Sequence, residues 1–360
     1  MNFSTHPIPS DLPLFPRHDQ ILSYLRTYAD DLRHLITFNA HISHITSTSS
    51  GGWNLTFSTA HAPQTYDALV IASGHYNTPY IPSLRGLDTW APSQIQHSLN
   101  FRTPLSYHNK KTLLVGNAAS GVDIASQLLP YVSSPLLQSV RTPSPTTPAG
   151  IKTLPEIFEF RPDGVVEFVD GSVEYGIDAV LFATGYLYTL PFLPAGRTTG
   201  ERVNGTWQHV FCIDHPTLAF LGLPTRAIPF PVVQSQAVMV AGVWAGKTRL
   251  PEREEMEAWE RRRMEEGGWG PEGRVGGARR GFHNFGFPLD AEYLATLETL
   301  APDDEEGLQS TRWREKEWWI RGRIPEIKKA FVEAKKRGVV ARTMEELGFV
   351  FEDEKEKGRL

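Results

Sequence analysis

The sequence predicts an α/β chain with two dinucleotide-binding units, one inserted into the other. Three observations carry that prediction. The stretch "DALVIASG" at 67 to 74 is echoed by "DAVLFATG" at 178 to 185. Between the echoes lies "TLLVGNAASGVDIASQLL", which has the order strand, tight turn, helix. Each echo also follows a β-rich segment. A continuous apolar run marks a fully buried parallel strand. The small residues that close each echo let the backbone turn sharply or admit a close neighbour. The first echo then marks the exit from one unit and the second marks the return. The Gly-rich turn between them belongs to the inserted unit.

The remaining elements follow from periodicity and turn chemistry. Ile21, Leu22, Leu25, Tyr28, Ala29 and Leu32 recur at helical spacing, which predicts a helix over 18–36 with those residues on its inner face. "LITFNAHISHI" reads as extended, and "WNLTFSTA" alternates as a half-buried strand does. Pro79, Pro82, Pro92 and Pro104 punctuate a stretch with the character of a linker. "KTLLVG" is a strand, 120–129 a helix and "LLQSV" a second strand. "RTPSPTTPAG" is a loop by composition. "VVEFVDGSVEY" reads as a hairpin turned at Asp170-Gly171. Beyond Pro251 the chain becomes charged: "EREEMEAWERRRMEE" predicts a solvated helix and "GGWGPEGRVGGARRG" a mobile Gly-rich segment. "IPEIKKAFVEAKKRG" predicts an amphipathic helix stopped by Gly338.

In the Gly-rich turn, Gly116 closes the strand and Gly121 sits where helix and strand pack closely. Ala118 stands where a dinucleotide fingerprint has its second glycine, so its Cβ narrows the approach. A diphosphate would meet Gly116, Asn117, Ala118, Ala119, Ser120 and Gly121 at the helix start, where N–H groups and the dipole favour an anion. An ordinary strand-to-helix turn would read the same way. Twenty residues beyond Gly121, after the second strand, stands Arg141. An arginine at that place accommodates the 2′-phosphate of NADP, with Ser139 and Thr142 as helpers. A solvated surface arginine is the alternative.

Composition sets bounds. Apolar residues make up 40% and charged residues 21%, which suits a globular chain. The net charge of −5 supplies no basic excess for nucleic acid. Cys212 is the single cysteine, so neither an internal disulfide nor a CxxC redox pair exists, and a flavin disulfide reductase is excluded. No apolar run reaches the roughly 20 residues of a membrane span, and the first residues lack a signal peptide's basic start. These features predict a cytoplasmic protein, with peripheral membrane association left open. The histidines show no HExxH spacing, there is no GxSxG elbow, and His97 reads as structural rather than catalytic.

With these residues in view, the chain resembles the flavin-containing monooxygenase family of N- and S-oxygenating enzymes. "SGHYNTPYIPSLRGLDTW" resembles that family's hinge. "IQHSLNFR" resembles its signature histidine with an aromatic four residues on, here His97 and Phe101, although Ser93 replaces the usual preceding glycine. "VGNAASGVDIA" resembles its NADPH fingerprint, "FATGY" its second hinge, and "HPTLAFLGLPTRAIPFPVVQSQA" its C-terminal core.

The resemblance implies a flavoprotein with two dinucleotide-binding domains. It places an incomplete FAD-binding domain at 1–103 and 184–250, an inserted NADPH-binding Rossmann-like domain at 104–183, and a charged helical extension at 251–360. The cofactors it implies are FAD and NADPH. The partners it implies are molecular oxygen and a small molecule whose soft nucleophilic N or S is oxygenated through a flavin hydroperoxide; homo-oligomerisation is left open. Ser73, Gly74, Thr184 and Gly185 would lie near the flavin or the hinge, and Gln236 near the flavin ring. No catalytic acid, base or metal ligand is required. The family's FAD fingerprint and active-site asparagine have no counterpart before residue 116, and "MNFSTHPIPSDLPLFP" resembles a segment well inside the family's length. The expectation is a truncated oxygenase, with a non-catalytic NADP-binding or interaction protein that has lost flavin as the alternative.

Overall fold

Helix α1 (His18–Ala29) opens with the Arg17 N–H donating to Gln20 Oε1 at 2.8 Å. It tightens into a 3₁₀ turn at Asp30–Leu35. The structure is a computed structural model, and it describes residues 2–142, 148–270, 273–274, 281–302 and 309–352. Helix α1 docks through Tyr24, whose hydroxyl donates to His6 O and accepts the Phe3 N–H. The expected leucine ridge is only partly covered, because Leu22 and Leu32 are exposed. Strands β1 (Ile42–Ser47), β2 (Trp53–Phe57) and β3 (Gln64–Tyr66) form an antiparallel meander that buries Ile45, Trp53 and Leu55. The first echo forms strand β4 (Leu69–Ile71).

The chain then enters a compact unit, His75–Thr189; residues 1–74 and 190–360 make up the other. The crossing points differ from the expected 103/104 and 183/184. The stretch that read as a linker holds strands β5 (Thr78–Pro79) and β6 (Ile95–His97), and β6 is a full member of the inserted sheet. Next come β7 (Thr112–Val115), α2 (Ala119–Leu128), β8 (Leu136–Ser139) and β9 (Ile151–Leu154). A meander of β10 (Ile157–Arg161), β11 (Val165–Phe168) and β12 (Val173–Glu174) leads into the second echo, β13 (Ala179–Phe182), and then β14 (Tyr186–Leu187). The sheet is parallel throughout, with order β6-β13-β7-β8-β9. Leu113, Val115, Leu137, Val180 and Phe182 pack one face onto the meander around Phe160 and Phe168. Leu114, Leu136 and Leu181 pack the other face onto Ile124, Ala125 and Leu128 of α2. Burial on both faces is why β7 and β13 read as nearly unbroken apolar runs.

Back in the first unit, β15 (Thr206–Trp207), β16 (Phe211–Cys212) and β17 (Leu218–Phe220) are followed by α3 (Pro229–Trp244), α4 (Arg253–Glu266), α5 (Leu289–Leu300) and α6 (Glu315–Lys336). The sheet order is β15-β16-β17-β4, with β4 parallel to β17. Strand β4 therefore lies at an edge, and Val70 is 37% exposed. This corrects the expectation that both echoes are fully buried: β13 has a strand on each side, and β4 has one among the described residues. The expected extension also belongs to this unit's core. Met256 of α4 and Tyr293, Leu294 and Leu297 of α5 pack with Phe211, Val232 and Met239. The predicted last helix begins earlier than expected and carries Pro325 in its interior. Most of the Gly-rich segment expected to be mobile lies outside the described residues.

Glu174 ties the inserted unit together at the base of its sheet. Its carboxylate accepts Lys111 Nζ at 2.7 Å and Lys152 Nζ at 2.6 Å. Burial pushes this carboxyl upward, but the bonds from Lys111 and Lys152 together outweigh burial and hold it below its ordinary value. A depressed carboxyl stabilises the fold above its unfolded pKa and loses that contribution as pH falls through its folded pKa. Glu174→Gln is expected to cost about 1–3 kcal/mol at pH 7. It should also flatten the acid limb of stability below about pH 4.5, as measured by urea denaturation across pH.

Candidate nucleotide site

The parallel sheet places its one strand-order reversal between β7 and β13, where α/β sheets take ligands beyond the carboxyl ends of their strands. At that end β7 runs into Gly116 at φ +106°, a conformation open to glycine. A Cβ on Gly116 would lie 2.7 Å from Ala183 O, and one on Gly121 would lie 2.3 Å from Gly116 O. The turn is therefore pressed against β13 on one side and α2 on the other, at contacts only glycine permits. The Gly116 N–H donates to Ser139 O at 2.9 Å, and Gln138 Nε2 donates to Gly116 O at 3.0 Å. This fixes the turn to β8.

The mouth of the turn is open. Ala118, Ala119 and Ser120 are exposed, no side chain caps the helix, and its first turn holds no acidic residue. The N–H groups of that turn are thus available to an anion, and the dipole adds to their pull. Asn117 is half-buried, and its Nδ2 donates to Thr142 O at 2.9 Å. That bond draws Arg141 and Thr142, both exposed, to the same edge as the turn. Arg141 Nε lies 3.7 Å from Glu156 Oε1. Ser139 is placed differently from the expectation: it is buried, and its hydroxyl donates to Pro155 O at 2.7 Å. It supports the strand end and does not face a ligand.

The hinge residues form a second cluster at the mouth of this unit. Strands β5 and β14 pair antiparallel, so the incoming and outgoing chains run side by side. Gly185 O accepts the Tyr80 N–H at 2.8 Å and His97 Nε2 at 3.0 Å. The Leu99 N–H donates to His97 Nδ1, so the ring carries its proton on Nε2. His97 is a structural clamp. The Thr184 hydroxyl donates to Tyr80 O.

In the other unit, Ser73 and Gly74 are exposed just beyond β4. Gln236 is fully buried; its Oε1 accepts the Gly222 N–H at 2.9 Å and its Nε2 donates to the Tyr293 hydroxyl at 2.9 Å. Tyr293 in turn donates to Gln208 O at 2.6 Å, and burial pushes its phenol far up. Both ends of the Gln236 amide are therefore engaged within the protein. Beside it, His209 and His283 face each other at 2.9 Å, and burial holds the His209 imidazole well below its ordinary value. The sequence reading missed Tyr293 and this histidine pair, because the partners lie 57 and 74 positions apart and share no local pattern.

Fold and turn together define an inserted Rossmann-like dinucleotide module within a two-domain nucleotide-binding architecture. The profile of the family described as FMO-like, flavin-binding monooxygenase-like, matches residues 1–144 and 142–270. The chain belongs to that family. It is 31% identical over 337 residues to the flavin-containing monooxygenase iboF of Amanita muscaria, covering 74% of this chain and 63% of that protein. It is 33% identical over 271 residues to flavin-containing monooxygenase FMO GS-OX-like 9 of Arabidopsis thaliana, covering 68% of this chain and 58% of that protein. The chain thus spans about six-tenths of these relatives' length. Its fold matches the structure of S-allyl-L-cysteine S-oxygenase from Allium sativum with a TM-score of 0.78 at 25% identity, covering 93% of this chain and 77% of that one. The fold of Tmm from Pelagibacter sp. strain HTCC7211 also matches, with a TM-score of 0.71 at 22% identity, covering 89% and 71%.

Gly121→Ala sets a methyl group against the Gly116 carbonyl and should cost about 1–3 kcal/mol through forced displacement of α2. Ser126→Ala, on the exposed face of the same helix, should stay within about 0.5 kcal/mol. Denaturant titration of the two variants checks the contrast.

Proposed function

We propose that the inserted unit binds NADPH and that the chain serves an FAD-dependent monooxygenase reaction on a soft nucleophilic nitrogen or sulfur of a small molecule. The observation that supports this reading most is the open helix start at the switch point, with Arg141 drawn to its edge by the Asn117–Thr142 bond. The diphosphate would lie on the N–H groups from Ala118 to Gly121. The 2′-phosphate would meet Arg141 and Thr142, and the nicotinamide half would then run the other way, over the end of β13 at Thr184 and Gly185. NADPH supplies a hydride and bound flavin supplies the means to activate oxygen. The chain's own residues hold the nucleotide, and the engaged Gly185 carbonyl keeps the two hinge strands fixed beside it. Arg141 is the residue that selects phosphate over hydroxyl, because its fork matches phosphate oxygens.

The residues named for flavin fit less well. Ser73 and Gly74 are open, but Gln236 is wholly buried and both its amide oxygen and its amide nitrogen already bond within the protein. That observation favours, as a second reading, an NADP-binding protein without flavin chemistry. Added FAD separates the two: oxygenation of a thioether or tertiary amine with NADPH consumption supports the first reading, and NADPH binding without turnover supports the second.

Arg141→Ala is expected to weaken NADP⁺ binding about tenfold or more while changing NAD⁺ binding little. Calorimetric titration with both nucleotides and with 2′,5′-ADP checks this. Equal losses for NADP⁺ and NAD⁺ would remove Arg141 from the site.

A further inference from the structure

We propose that the unit of residues 1–74 and 190–360 carries a small-molecule site of its own, one that takes a small carboxylate with an apolar body. A cavity of about 440 Å³ opens there, walled by Trp53, Leu193, Pro194 and Leu218, with Arg197 and Asp214 among its lining. This volume is in the range of small-ligand sites, which combine apolar walls with a few placed polar groups. Its frame is tied by direct bonds. The Asn204 N–H donates to Arg197 O at 2.9 Å, the Ile213 N–H to Gly205 O at 2.9 Å, and Trp53 Nε1 to Thr217 Oγ1 at 3.0 Å.

The charge arrangement points to an anion. Arg197 is largely buried, and its one ionic partner among the described residues is Asp214, at 3.5 Å. Asp214 gives its close contact to a different cation, Arg253, at 2.7 Å. Arg253 also donates to Glu257 at 2.8 Å. Charge-assisted bonds to carboxylates run at about 2.7–2.9 Å, so the Arg197 pairing is looser than either contact of Arg253. A guanidinium has five N–H donors in a fixed fork. Arg197 therefore has donors left over on the cavity wall. A carboxylate would accept two of them side by side, and the Trp53, Leu193, Pro194 and Leu218 walls would cover its apolar body. Asp214 also sets the affinity, since its carboxylate stands 3.5 Å from the same guanidinium and opposes a second carboxylate there.

The test is calorimetric titration of the full chain with benzoate and with benzamide, its uncharged counterpart, alongside thermal melts. Benzoate is expected to bind at one site and benzamide at least about tenfold more weakly. Arg197→Gln is expected to weaken benzoate about tenfold or more, and Arg197→Lys to keep part of the affinity. Asp214→Asn removes that opposing charge and is expected to tighten benzoate severalfold. Absence of binding at tens of millimolar benzoate would overturn the proposal. So would equal binding of benzamide, or parental affinity in an Arg197→Gln variant that melts normally. If Arg197→Gln does not fold, Asp214→Asn decides: tightening supports the site, and unchanged or weaker binding refutes it.

Discussion

The inserted unit depends on one contact, the approach of Gly121 to the Gly116 carbonyl. A Cβ at residue 121 would sit 2.3 Å from that oxygen. Its absence lets α2 begin close against the end of β7, and everything the turn can do follows from that closeness. The helix start then sits at the carboxyl edge of the sheet, with its N–H groups outward and uncapped. Gly116 meets Ala183 on its other flank in the same manner, so β13 fixes the turn from the far side. A fully covered sheet behind the turn keeps this geometry rigid, because interiors packed at crystal density yield little.

The same edge holds the two chain crossings. Gly185 O accepts from both Tyr80 and His97, and β5 pairs with β14. Entry and exit are thereby joined inside one unit, so its mouth keeps its shape whatever the chain does beyond residues 75 and 189. A histidine used this way needs only one tautomer, and the Leu99 N–H selects it. That explains a signature histidine without assigning it any proton transfer. Its work is to make a carbonyl hold two donors at a place where strand geometry supplies one.

Much of the fold was legible because its signals are local. "KTLLVG", "LLQSV", the Asp170-Gly171 hairpin and the helix between the first two each stand within two residues of their expected places. The turn residues Gly116 to Gly121 were legible for the same reason, since sterics at a tight turn are written in the residues that make it. What failed was what neighbours decide. Val70 and Leu181 occupy matching places in two nearly identical strands, yet one is 37% exposed and the other wholly buried. Their own sequences do not carry that difference; the number of flanking strands does. Ser139 looked like a phosphate ligand by position and is instead engaged by Pro155 O, a partner 16 residues on. Met256 sits in a segment whose composition reads as charged surface, and tertiary packing overrode that composition.

The charge of the whole chain, −5, bears little on the turn. At physiological salt the screening length is about 8 Å, so exposed charges beyond that distance are largely lost to a bound anion. What counts is what stands at the edge itself: the first-turn N–H groups, the partial positive charge of the helix start, and Arg141. Glu156 is the opposing term, 3.7 Å from Arg141 and exposed with it. A pair that long and that solvated is worth little to the fold. In the proposed reading, the neutral backbone of the turn would hold the diphosphate and Arg141 would tell one dinucleotide from the other.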